Sequence, residues 1–324
     1  MNRRTFLTTA TALAGSLGGL RSASSQVNPA RPIRVIVGTP PGGAVDPYAR
    51  LIAEHMARSL GRVIIVENKP GAGMNIAAEF VVNAPADGHL ILIGTQALTE
   101  INPSARSDPK WSLDDVIPLI RGVTAPLVLV THPSVPARTL AELVAWINQN
   151  PGKLGYSSYE SGTPSHFLGF QLNERFGLDL VHVPTRGSGP QATDLMAGHV
   201  LFGFAQLQPT MAHIKAGKLN AIAVTSGERS RFLPEVPAFA ELGHPEFTAN
   251  VWFGLMVRAG TPPGAVDSLV NAAKAAHADP DVRAKLEAQG FDISGQTGAE
   301  FVADIKAQIQ RWARLVKAAG FKAD

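Results

Sequence analysis

The sequence predicts an α/β protein folded as two domains with a ligand cleft between them. Three observations predict it. From Arg34 onward one unit recurs: a short β-branched run, a loop of Gly, Pro, Ser and Thr, then an amphipathic helical stretch, the alternation expected of parallel α/β sheets. At 324 residues the chain exceeds what a single core usually organises. The stretch after Val257 reads as helices with almost no strands, so it packs on a sheet built earlier and makes the first domain discontinuous.

Residues 1–26 read as a twin-arginine export signal: Arg3 and Arg4 precede Phe6-Leu7, a mildly apolar run reaches Leu20, and small residues at 22–25 offer a cleavage site. Next, Ile33, Val35, Ile36 and Val37 form a buried strand that Thr39-Pro40-Pro41-Gly42-Gly43 stops. Asp46 before Pro47 is expected to cap the following helix, which Gly61 ends. Strands at 63–67 and 90–94 follow, the first leading into Pro70-Gly71-Ala72-Gly73-Met74-Asn75 and the second into Thr95-Gln96-Ala97. Pro126 to Val130 reads as a strand, and Thr139-Leu140-Ala141-Glu142 is a capping box. Strands at 154–157, 180–183, 200–204 and 221–224 build a second set of units, with loops at 158–164, 184–190 and 205–208. Val251 to Val257 is a strongly apolar strand, and helices starting near Thr261, Pro280 and Thr297 close the chain. The expected division is 27–127 plus 252–324 for one domain and 128–251 for the other, with the two crossings as the hinge.

Composition narrows the function. Without Arg3, Arg4 and Arg21 the chain carries 26 basic and 26 acidic residues, so no basic surplus awaits nucleic acid. With no cysteine, a disulfide framework, a thiolate metal site and a thiol nucleophile are all excluded. Gly71-Ala72-Gly73-Met74-Asn75-Ile76 lacks the third glycine of a dinucleotide fingerprint, Gly217-Lys218 is followed by Leu219 and so is no phosphate loop, and the nine histidines lack ligand-like spacing. No cofactor or metal is expected. What the strand-end loops offer instead is backbone N–H groups and neutral donors, suited to holding a carboxylate and poor at breaking bonds.

These loops also carry a resemblance. Pro40-Pro41-Gly42-Gly43 through Asp46, Val66-Glu67-Asn68-Lys69-Pro70-Gly71-Ala72-Gly73 through Asn75, Asp87-Gly88, Gly162-Thr163 with His166, Val183-Pro184 through Gly187, and Trp252-Phe253-Gly254-Leu255 run in the order of the tripartite tricarboxylate transporter substrate-binding proteins, the Bug family. The chain resembles that family over nearly all of its length after the signal. The resemblance implies type II periplasmic binding architecture, hinge closure on a small organic acid, no catalysis, and delivery to membrane permease subunits, by a protein acting as a monomer in the periplasm. Met74 stands where the family usually has glycine, and Thr185-Arg186-Gly187 where Tyr-Lys-Gly is common. The candidate ligand contacts are Pro41, Gly42, Gly43, Asp46, Gly73, Asn75, Thr95, Gln96, Ser158, Gly162, Thr163, His166, Arg186, Gly187 and Gln206. Two alternatives stand beside this reading: a periplasmic component presenting its ligand to a sensor, and a hydrolase using a hydroxyl of the 158–165 loop.

Overall fold

Alternating strand and helix patterns fold as the sequence predicts through most of the chain. The computed structural model describes residues 31–152 and 154–323, so the expected export signal lies outside the described residues. The first units are β1 (Ile33–Val37), α1 (Val45–Leu60), β2 (Ile64–Asn68), α2 (Asn75–Val82), β3 (Leu90–Thr95) and the short α3 (Asn102–Ala105), with a π-helical turn at Ala97–Ile101. Then come β4 (Val116–Thr131), α4 (Leu140–Asn148), β5 (Leu154–Ser158), α5 (Pro164–Phe176), β6 (Leu180–Pro184) and α6 (Ser188–Ala197). β7 (Phe202–Gln206), α7 (Leu207–Lys215), β8 (Asn220–Val224), β9 (Asn250–Arg258), α8 (Pro263–Ala278), α9 (Pro280–Ala288), β10 (Asp292–Thr297) and α10 (Gly298–Ala318) complete the chain.

The strand order is β2-β1-β3-β9-β4-β7-β5-β6, with β10 and β8 both added to β4. Within each end of this path β1 pairs in parallel with β2 and β3, and β5 pairs in parallel with β6 and β7. β4 joins the two ends. Its residues from Val116 to Pro126 pair with β9, while Leu127 to Thr131 pair with β7. Pro126 sits where the partners change, and having no N–H to give a ladder it suits that position.

The second crossing, from β8 to β9, is tied to the first by one side chain. Fully buried Thr225 accepts from Leu127 N–H through Oγ1 at 2.9 Å and donates the same hydroxyl to Ala249 O at 2.6 Å. Its backbone N–H and C=O bond Leu127 O and Ala249 N–H. Both crossings are thereby held at one point.

Three expectations need correction. The strand expected at 126–130 begins ten residues earlier, at Val116, and register shifts near Leu119 and Gly122 carry the ladder past Pro118. The helical tail contains a strand, β10, whose polar sequence lacks the β-branched alternation that marks a strand. Asp46 is not the cap of α1: Ala44 takes that position, and Asp46 lies in the first turn with its carboxylate bonded to Arg50 and Asn68. The capping box at Thr139–Glu142 is present, whereas Thr297 begins α10 without a side-chain cap.

Replacing Thr225 with valine keeps the shape and leaves the buried Leu127 N–H and Ala249 C=O without the hydroxyl. The expected loss is about 1–3 kcal/mol in urea unfolding; a variant as stable as the wild type would show that the tie is not needed.

Candidate functional site

The carboxyl ends of β1, β3, β5, β6 and β7 all empty into one cavity, enclosing about 730 Å³ with its open mouth. Its walls are the β1–α1 turn (Thr39 to Val45), Met74, the π turn (Thr95 to Ala97), the β5–α5 loop (Tyr159 to Pro164), the start of α6 (Arg186 to Pro190), Gln206, and Val251 and Phe253 of β9. The amino ends of α1, α5, α6 and α7 therefore reach the same space. Each brings the partial positive charge of a helix amino end, so an anion is favoured there without any lysine.

The two sides of the cavity touch. Ala44 N–H, at the start of α1, donates to Ser188 Oγ, the first residue of α6, at 3.2 Å. Gly189 passes so close to Gly42 that a Cβ there would lie 3.0 Å from the Gly42 carbonyl. Any larger residue at 189 would press on that carbonyl and push the two turns slightly apart.

Eight of the fifteen sequence candidates line this cavity: Pro41, Gly43, Thr95, Gln96, Thr163, Arg186, Gly187 and Gln206. Gly42 belongs to the same turn, with a left-handed φ of 86°. The other six stand behind the wall. Asp46 is bound to Arg50 and Asn68; burial opposes its charge, but those hydrogen bonds outweigh it and hold the carboxyl below the ordinary range. Asn75 donates to Ala72 O and accepts from Trp111 Nε1, both at 2.7 Å, while Asn102 donates to Gly73 O at 2.7 Å. These bonds brace a run of left-handed residues, Gly71 to Met74, that includes the non-glycine Ala72 and Met74. Ser158, Gly162 and His166 are buried beneath the β5–α5 loop. The candidate contacts leave out Met74, Tyr159, Glu160, Ser188 and Phe253, which line the wall. Phe253 belongs to an apolar strand and Met74 to a loop where it marked only a departure from the family's glycine, whereas Ser188, in the 184–190 loop, and Glu160, the single acidic residue of its loop, carried a signal.

Ser158 Oγ lies 2.7 Å from His182 Nε2, the base that the hydrolase alternative lacked in sequence. The pair is poorly made for catalysis. Ser158 is 0% exposed and its hydroxyl also bonds Glu160 O. Burial, with His166 stacked 3.9 Å away, pushes His182 down to about 3, far below the value useful to a general base at neutral pH. Among the described residues no group of three or more His, Cys, Asp or Glu is placed to hold a metal ion, and no helix is long and apolar enough to cross a membrane.

Within the π-helical turn is an ionisable group that faces away from the cavity lining. Glu100 is fully buried; Trp252 of β9 and Trp312 of α10 donate their indole N–H groups to its two oxygens at 2.8 and 3.1 Å, and the nearby Gln96 amide also favours its charge. Burial pushes its pKa up to about 7 in spite of these donors and the Arg121 charge.

The profile of a family described as "Tripartite tricarboxylate transporter family receptor" matches residues 48–321. Protein BugT of Bordetella pertussis is 34% identical over 309 residues, covering 92% of each chain. A Rhodopseudomonas palustris protein solved with adipate superposes with a TM-score of 0.85 at 29% identity, over 91% of this chain and 99% of that one. MatC of the same organism, with bound malate, gives 0.82 at 28% identity over 89% and 99%.

Between pH 4.5 and about 7 folded Glu100 keeps a proton that the unfolded chain releases, so its contribution to stability is present in acid and is lost as pH rises. The unfolding free energies of the wild type and Glu100→Gln should converge or cross over this window, the wild type losing about 3 kcal/mol relative to the variant. A difference independent of pH would place the titration elsewhere.

Proposed function

The chain belongs to the tripartite tricarboxylate transporter receptor family, and on that premise we propose that it captures a small carboxylated compound in the periplasm and hands it to membrane permease subunits. The observation that carries this reading is the convergence of four helix amino ends on one cavity whose polar groups are mostly neutral. Such a site holds an anion by fixed dipoles and reverses readily. The relatives solved with adipate and malate contain ligands of this chemical kind.

The carboxylate sits at the β1–α1 turn, between Pro41, Gly43 and the start of α6. The mobile units are 27–127 with 252–324, and 128–251, bending where Thr225 ties the crossings. Closure follows only from contacts that the ligand makes better in the closed form. The twin-arginine pattern within residues 1–26 supports export to the periplasm. The buried Ser158–His182 pair, unable to meet a substrate, supports binding without turnover.

Thermal-shift measurements on the chain from Val27 onward, against mono-, di- and tricarboxylates, should give a rise in melting temperature with at least one acid, recovered unchanged afterwards. A Cβ at Gly43 would come within 3.4 Å of Ser188 Oγ, so Gly43→Val crowds the turn. That variant is expected to stay folded and bind at least about tenfold more weakly, about 1.4 kcal/mol. Full affinity in Gly43→Val would move the carboxylate away from this turn.

A further inference from the structure

Three polar groups of the cavity wall are without a hydrogen-bond partner among the described residues, the carboxyl of Glu160, Oε1 of Gln96 and Oγ1 of Thr39, and of these an ionised Glu160 and the Gln96 oxygen can only accept. Glu160 lines the cavity half-buried; its main-chain carbonyl accepts from Ser158 Oγ and Thr163 Oγ1, which fixes the loop. Its carboxyl group has no donor and no cation beside it among the described residues, and burial raises its affinity for a proton. Gln96 is 5% exposed and also lines the cavity. Its Oε1 is buried and without a partner among the described residues, while the amide favours the charge of Glu100, which accepts from the indoles of Trp252 and Trp312.

The rest of the wall is mixed: Thr39, Thr95, Tyr159, Thr163, Ser188 and Gln206 are polar but neutral. Met74, Val251, Phe253 and several prolines are apolar. Arg186, the one basic lining residue, is exposed at the mouth, where solvent weakens its pull on a second anion. A donor meeting Gln96 Oε1 enters while the cavity is open and is then shut in.

We propose that Glu160 and Gln96 are specificity-determining residues that select a carboxylic acid bearing a hydrogen-bond donor, a hydroxyl or an ammonium group, away from the carboxylate, and that reject a second carboxylate in that place. This rests on the carboxylate-receptor reading above. A dicarboxylate would set its far anion against Glu160 in a water-poor space and offer Gln96 no proton. A hydroxyl satisfies one acceptor. An ammonium brings three donors and is in addition attracted by Glu160 once that group ionises.

The test is isothermal titration calorimetry with two matched sets: hexanoate, its terminal hydroxy and amino derivatives and adipate, then butanoate, its terminal derivatives and succinate. In at least one set, a donor-bearing acid should bind at least about tenfold tighter than both its parent acid and the dicarboxylate. Glu160→Gln, checked for an unchanged melting temperature, should remove the ammonium's advantage and relax the rejection of the dicarboxylate. Gln96→Met should remove the hydroxyl's advantage. A dicarboxylate that binds as tightly as the donor-bearing acids and is lost in Arg186→Gln would overturn the proposal, as would a ranking that Glu160→Gln leaves unchanged. Binding with a flat ranking overturns the selectivity alone, whereas no binding by any of the acids would overturn the receptor reading with it.

Discussion

Everything about the cavity depends on how the chain crosses between its two halves, and one threonine hydroxyl ties the crossings. Thr225 Oγ1 takes a proton from Leu127 N–H and gives its own to Ala249 O, so β4 and the return into β9 are held at a single buried point. On either side the chain is committed to sheet: β4 pairs with β9 before Pro126 and with β7 after it. Four hydrogen bonds meet at Thr225, two through its hydroxyl and two through its backbone, so the point where the ladders change partners is itself fully bonded.

The walls combine two kinds of electrostatics. Facing the cavity are helix ends and neutral side chains, which attract an anion without presenting a competing salt bridge. Behind it is Glu100, a buried carboxyl held by two indoles from β9 and α10. The C-terminal helix thus contributes no wall residue yet bonds the π-helical turn that begins at the wall. Because α10 also packs against the π turn and α3, the far end of the chain is built into the site that the near end begins.

Much of this was legible in the sequence because β-branched runs announce strands, and the residues just after them must fall at strand ends. Pro41, Gly43, Thr95, Gln96, Thr163, Arg186, Gly187 and Gln206 reach the cavity on that logic alone. What escaped has physical reasons. Pro118 and Gly122 interrupt the first half of β4, and the bulges that absorb them come from pairing with β9, more than a hundred residues on in the chain. β10 is polar because its place is granted by β4 rather than by its own propensity. Asp46 looked like a cap because its true partner Asn68 lies 22 residues away, on the next strand. Phe253 looked like core because an apolar side chain on a cavity wall and one in a core carry the same local signal.

The bond from Ala44 N–H to Ser188 Oγ joins the two walls without any ligand in it. Any separation of the β1–α1 turn from the start of α6 would have to break it, whatever the cavity holds. Another group bonding Ser188 would compete for that serine with Ala44 rather than with the contents of the cavity.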